Sequence, residues 1–235
     1  MARRGPELPY SVVAGVTPSR GRWLVASAKV QGSNFAPEPP KLYDTFVEVL
    51  DERPSFSAMV VNAPIGYRDS LADPVRQCDA EARVLLAHRG IFLHNAPTWE
   101  TISRGRSVPE DGLDAVTAML LPLYLQVAKE MFPYRQRVVY QGNPELSFFL
   151  LNDLTPLARS KNIMDGREER QMILLKKVPG IEKIINSELD GVPLRSLLDA
   201  SAMAWSARRV FARAAKRIPA EGQWDTRGLR MEYVY

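Results

Sequence analysis

Two apolar runs open the chain, Tyr10–Val16 and Arg22–Ala28. Their β-branched content and length predict strands, and Pro18, Ser19 and Gly21 supply the turn between them. The first strand of this hairpin ends at Thr17, which then points out of the sheet into whatever site lies there. Gln31–Pro40 carries Gly32 and three prolines, which predicts a loop. From Lys41 the apolar residues Leu42, Phe46, Val49 and Leu50 recur at helical spacing, with Asp44, Glu48, Asp51 and Glu52 mostly facing out. Phe56–Val61 is almost continuously apolar and predicts a buried central strand. It runs into Asn62-Ala63-Pro64-Ile65-Gly66, where proline and glycine must turn the chain.

Pro74 opens a further helix with Cys78, Ala82, Leu85 and Leu86 inward, stopping at Arg89-Gly90. Ile91–Pro97 reads as short and extended, and Pro109–Met131 as a long helix bent at Pro122. Arg137–Tyr140 predicts a strand, and Pro144 a first-turn position for a helix over Glu145–Leu151. Asn162–Lys177 and Ile181–Ile185 are helical patterns, and Pro193 opens a last long helix to about Arg217. The tail ends in Met231–Tyr235, which suits an edge strand. A hairpin, a helix, a parallel buried strand and a long closing helix make an α/β domain, in outline an RNase-H-like mixed sheet with flanking helices. The expected division is a loose terminus over residues 1–9 and a single domain over 10–235, with a helical insertion at about 98–134.

Composition narrows the function less than the pattern does. The 235 residues are 46% hydrophobic, enough for a real core, and the net charge of +4 suits phosphate partners or an ordinary basic surface. Cys78 stands alone, so no intramolecular disulfide can form, which fits a reducing cytoplasm. Ala2–Pro6 is followed by no long apolar core, so neither a signal peptide nor a membrane partner is expected. His88 and His94 are the only histidines, and no Cys/His metal spacing or phosphate-binding glycine loop is present.

In such a sheet the strand ends converge on one site, here Thr17, Asn62, and Gln141 with Asn143, joined by Arg195, Ser196 and Asp199 of the last helix. Ala14-Gly15-Val16 with Gly21 and Trp23 and Ala63-Pro64-Ile65-Gly66 form one set of motifs. Arg76, Cys78-Asp79 and Arg83 follow, then Asn143-Pro144-Glu145 with Ser147-Phe148, and Ser160-Lys161 with Gly166-Arg167 and Arg170. Leu198-Asp199-Ala200, Ala204-Trp205, Ala207-Arg208-Arg209 and Gly228-Leu229-Arg230-Met231-Glu232 complete the series. In order and spacing this resembles the domain-of-unknown-function family four-two-nine, described as predicted RNase-H-like nucleases.

The resemblance implies carboxylates where this chain has Thr17, Asn62 and Gln141, a histidine where it has Asn143, acids where it has Arg195-Ser196, and a lysine where it has Leu123. Two-metal phosphodiester hydrolysis needs three or four carboxylates to hold two cations about 3.5–4 Å apart. The expectation is therefore a degenerate member that binds nucleic acid, another phosphate ligand or a partner protein without efficient cleavage. The other reading is an active Mg²⁺- or Mn²⁺-dependent phosphodiesterase built on Asp199, Glu145 and Asp79. Lys161 joins the cleft residues, and Arg195, four positions before Asp199 on one helix face, is expected to supply the charge a metal would bring.

Each residue also has a plain structural reading. Thr17, Asn62 and Asn143 suit turns, and Glu145 suits a helix first turn. Asp199 suits an ion pair with Arg195 or another nearby arginine. Arg76, Asp79 and Arg83 suit a paired solvent face. Cys78 suits an inert buried thiol, and Trp205 the core. Arg208, Arg209 and Arg213, with Arg167 and Arg170 on another helix, suit either a phosphate backbone or a solvated surface.

Overall fold

The computed structural model describes residues 9–189 and 191–235, apart from the side chains of Ile91 and Phe92. The expectation for the terminus falls almost wholly on residues 1–8, outside the described part. Strand β1, Ser11–Ser19, pairs antiparallel with β2, Arg22–Gln31, through the turn at Arg20-Gly21. Strand β5, Ala58–Val61, lies parallel to β1 on its other side, and β6, Val139–Gln141, parallel to β5. Two short strands, β3 at Asn34–Pro37 and β4 at Lys41–Tyr43, pair with successive parts of β2. The path β3-β2-β1-β5-β6, antiparallel at the hairpin and parallel beyond it, is a mixed sheet of the kind the sequence pattern predicts.

Both faces of this sheet are covered, which is why its central strands read as continuous apolar runs. Val13, Leu24, Ala58 and Val60 face the long helix α8, Leu194–Phe211, together with α5 (Pro144–Leu151), α6 (Met164–Lys177) and α7 (Glu182–Ile185). Val12, Ala14, Val16, Met59 and Val61 face α1 (Phe46–Leu50), α3 (Trp99–Arg104) and α4 (Ala115–Glu130). α4 keeps Pro122 inside it and bridges layers through Gln126, whose Oε1 accepts from Trp23 Nε1 and the Phe46 amide, both at 2.9 Å. α8 crosses β1 at Gly15, where a Cβ would lie 2.1 Å from the Ala204 amide nitrogen and 2.2 Å from the Ala200 carbonyl. Asp199 is thereby carried to the side of β1.

Several boundaries differ from the sequence reading. Asn34–Pro37 and Lys41–Tyr43 are edge strands, not a loop and the start of a helix; at four and three residues they are too short for a period to register. α1 waits for Thr45, whose side chain and that of Glu48 form a capping box. The helix expected from Pro74 is α2, Gln77–Leu86, and residues 87–92 continue as 3₁₀ turns rather than α-helix up to Gly90. The long helix starts at Ala115, capped by Asp114. α8 stops at Phe211, and Arg217–Ile218 forms β7, paired with β8, Tyr233–Val234, in a separate two-stranded sheet. No described helix is long and apolar enough to cross a membrane.

Candidate functional site

Val16 lies opposite Val61 and Val61 opposite Gln141, so β5 and β6 end level while β1 runs on through Thr17 to Ser19. The next residues meet side by side, with Asn62 Nδ2 donating to Thr17 Oγ1 at 3.1 Å. Gln141 is buried, and its Oε1 accepts from the Ile65 amide at 2.9 Å and from Arg76 Nη2 at 2.5 Å. The strand ends thus carry neutral side chains, one of which, Gln141, takes a charge-assisted bond from Arg76. Asn143 Oδ1 accepts from the Glu145 amide at 2.9 Å and caps α5, so it works as an N-cap.

Glu145, in the first turn of α5, is buried against Arg170 of α6. Arg170 Nη2 donates to both of its oxygens, at 2.7 and 2.9 Å, and Arg89 Nη2 stands 3.6 Å away. Arg170 is 0% exposed and also donates to the carbonyls of Arg159 and Gly166. It is a fully buried bolt between α6, the loop before it and α5, in no position to touch a phosphate. Arg89 is a participant the sequence reading took only for a helix end, and nothing local to Arg89-Gly90 signals its role.

Asp199, on the first turns of α8, pairs through Oδ2 with Lys161 Nζ. Its Oδ1 has no hydrogen-bond partner among the described residues, although the residue is buried. Burial pushes its carboxyl above the ordinary 3.8; Lys161 opposes that shift, Glu145 adds to it and Arg170 opposes it. Arg195 does not fill the expected place. It is exposed and reaches Asn162 Oδ1 at 3.5 Å, while the cation at Asp199 comes from Lys161, 38 residues away in sequence.

Asp79 and Arg76 are buried, not on a solvent face. Arg76 Nη1 lies 3.6 Å from Asp79 Oδ1, which also accepts from the Tyr233 hydroxyl at 3.0 Å. Arg83 lies apart from them, donating to the Leu93 carbonyl and to Asn95 Oδ1. Burial also pushes the neighbouring Cys78 thiol up to about 12, which makes it an inert core sulfur. Trp205 is half-buried, with the Arg209 guanidinium 5.0 Å from its ring centroid. Arg208 donates to the Ser33 carbonyl at 2.7 Å, Arg209 to the Ala214 carbonyl, and Arg167 to the Asn162 carbonyl at 3.0 Å. Arg213 is exposed at the end of α8, with a φ of 57°. These four remain open to solvent in part; Arg170 does not.

A family model described as "Protein of unknown function (DUF429)" matches residues 15–223. The chain belongs to that family. The DUF429 match spans the strand ends, Glu145, Lys161 and Asp199 alike. No curated protein matches the chain. Among solved structures, the Thermus thermophilus RuvC structure is similar at 15% identity, covering 87% of this chain and 98% of that one, with a TM-score of 0.39.

The residues of this DUF429 site do not fit a two-metal centre. Among the described residues no three His, Cys, Asp or Glu side chains come together. Asp79, Glu145 and Asp199 each have a cation beside them, Arg76, Arg170 and Lys161 respectively, and Arg89 also faces Glu145. Two Mg²⁺ or Mn²⁺ ions would have to displace those cations and bind where Thr17, Asn62 and Gln141 offer only neutral ligands.

Proposed function

We propose that this chain is a non-cleaving member of DUF429 that binds a phosphate-bearing ligand, nucleic acid foremost, at the ends of β1, β5 and β6. The observation that carries this reading is the sign of the site. Its buried acids are each held by a cation from within, and the charges partly open to solvent around it, Lys161 and Arg167, are positive. A site of that sign attracts phosphate oxygens and repels divalent cations. Lys161 is the cation best placed to touch a ligand, because its side chain is 29% exposed whereas that of Arg170 is fully covered. Arg167, on the same helix as Arg170 but half-open to solvent, extends the positive surface toward it.

The test is a pair of titrations with single- and double-stranded DNA and RNA, with and without Mg²⁺ or Mn²⁺. Binding should be independent of the metal and should weaken steeply as salt rises, with no cleavage. Metal-dependent cleavage that Asp199→Asn abolishes would establish the phosphodiesterase instead. Absence of binding to every nucleic acid at low salt would remove the nucleic-acid reading.

A further inference from the structure

Away from the strand ends, three aromatic rings stand largely in solvent: Phe132 at 49% exposure, Tyr134 at 61% and Trp224 at 59%. Phe132 and Tyr134 stack with ring centroids 5.9 Å apart and planes 6° from parallel. Trp224 lies in a neighbouring loop that the Gln136 side chain ties to theirs. Gln136 donates to the Arg230 carbonyl at 2.9 Å and accepts from the Arg230 amide at 2.8 Å. Trp224 pairs with Arg230 across a β-bridge, and a Cβ on Gly228 would lie 3.6 Å from Pro133. The Trp224 ring lies so close over Gly222 that a Cβ there would meet it at 2.2 Å, so the indole is seated on backbone.

Arginines frame the rings. Arg135 lies 5.8 Å from the Tyr134 ring centroid and Arg230 5.7 Å from that of Trp224. Each is ion-paired, Arg135 with Glu130 and Arg230 with Glu232. Arg137 is exposed and has no carboxylate partner among the described residues, and Lys129 adds a further positive charge at the end of α4. Half-exposed rings held in place beside arginines and a lysine match unpaired bases joined by phosphates. Stacking supplies affinity without sequence preference, and arginine serves both ring and phosphate.

We infer that the surface formed by residues 132–137 and 224–230 binds single-stranded nucleic acid by stacking its bases on Tyr134, Phe132 and Trp224. This surface is separate from the strand-end cleft and does not rest on the reading proposed for it.

The test uses the full chain, without added metal, titrated into fluorescein-labelled dT15 and a 15-base-pair duplex at low salt. Trp224→Ala and Tyr134→Ala are each expected to weaken dT15 binding about tenfold, the scale of one lost base stack. Trp224→Phe and Tyr134→Phe should restore most of it. Val84→Ala, 81% exposed on α2, should leave dT15 binding unchanged, and the cleft reading is tested separately by the salt slope of duplex binding in Lys161→Ala, so failure of the cleft reading and failure of this one are told apart. Unchanged affinity in both alanine variants would overturn the inference, as would a wild-type chain that binds only duplex or no DNA. Self-association abolished by Trp224→Ala, without oligonucleotide binding, would mark the surface as a protein interface and overturn it too.

Discussion

Glu145 and Asp199 are both buried carboxylates held by a cation, yet Glu145 gives both oxygens to Arg170 while Asp199 gives one to Lys161 and leaves the other without a partner. The cations differ as well. Arg170 is sealed and also donates through Nη1 to the Arg159 and Gly166 carbonyls, whereas Lys161 is partly open to solvent. A guanidinium fork matches a carboxylate at two points and is hard to replace; an ammonium is a single mobile charge. The first pair therefore serves the fold, and the second, partly open, is the one the proposed ligand role requires.

Breaking the sealed pair should have the largest effect. Arg170→Ala leaves the Glu145 carboxylate buried with only Arg89 beside it, and strips two carbonyls of their donor. Removing one partner of a buried ion pair costs about 3–5 kcal/mol. Urea unfolding followed by circular dichroism should show a loss of that order. The salt dependence of nucleic-acid binding by whatever folded protein remains should not change, because Arg170 reaches no solvent. A changed salt slope with unchanged stability would reverse the roles assigned to the two pairs.

Lys161→Ala should cost less stability and more binding. Its ammonium is one partly solvated contact to Asp199, so the expected loss is about 1.5–3 kcal/mol, the range for a hydrogen bond to a charged group. Against duplex DNA the slope of log affinity on log salt should fall by about one, as for any lost phosphate contact. A variant with the wild-type slope would show that Lys161 only neutralises Asp199, and would confine this pair to the fold as well.

What the sequence made legible follows from the same contrast between local and distant constraints. The hairpin Tyr10–Val16 with Arg22–Ala28, the strand near Phe56–Val61 and the helices after Pro144 and Pro193 were readable because a sheet covered on both faces forces long apolar runs. Pro144 and Asn143 marked their helix start by chemistry local to it. Ion-pair partners carry no such local mark. Spacing along α8 offered Arg195 to Asp199, and folding supplied Lys161 from the loop before α6. Arg170 sits in a helix so charged that a solvated face was the natural reading, yet it is buried against a carboxylate 25 residues earlier. The adjacency of Thr17 and Asn62 was legible from their places at the ends of two predicted strands, although neither residue type signals a site by itself.

The smallest change, Asp199→Asn, sharpens the comparison through pH. Burial raises the Asp199 carboxyl above its unfolded value, so the folded state prefers the protonated form. The stability this group contributes is full below the ordinary 3.8 and is lost as pH rises through the elevated value. At neutral pH the charged carboxylate therefore costs stability that Lys161 only partly offsets. Asparagine keeps the shape and the hydrogen-bond acceptor and removes that cost, so Asp199→Asn should be neutral or slightly stabilising at pH 7, within about 1 kcal/mol. The test is the difference in thermal midpoint between wild type and variant from pH 3.5 to 7. It should move in favour of the variant as pH rises, because the other titrating groups are common to both proteins and cancel. A variant that loses ground as pH rises would mean the ionised Asp199–Lys161 pair stabilises the fold, and the distinction drawn from Glu145 and Arg170 would fall.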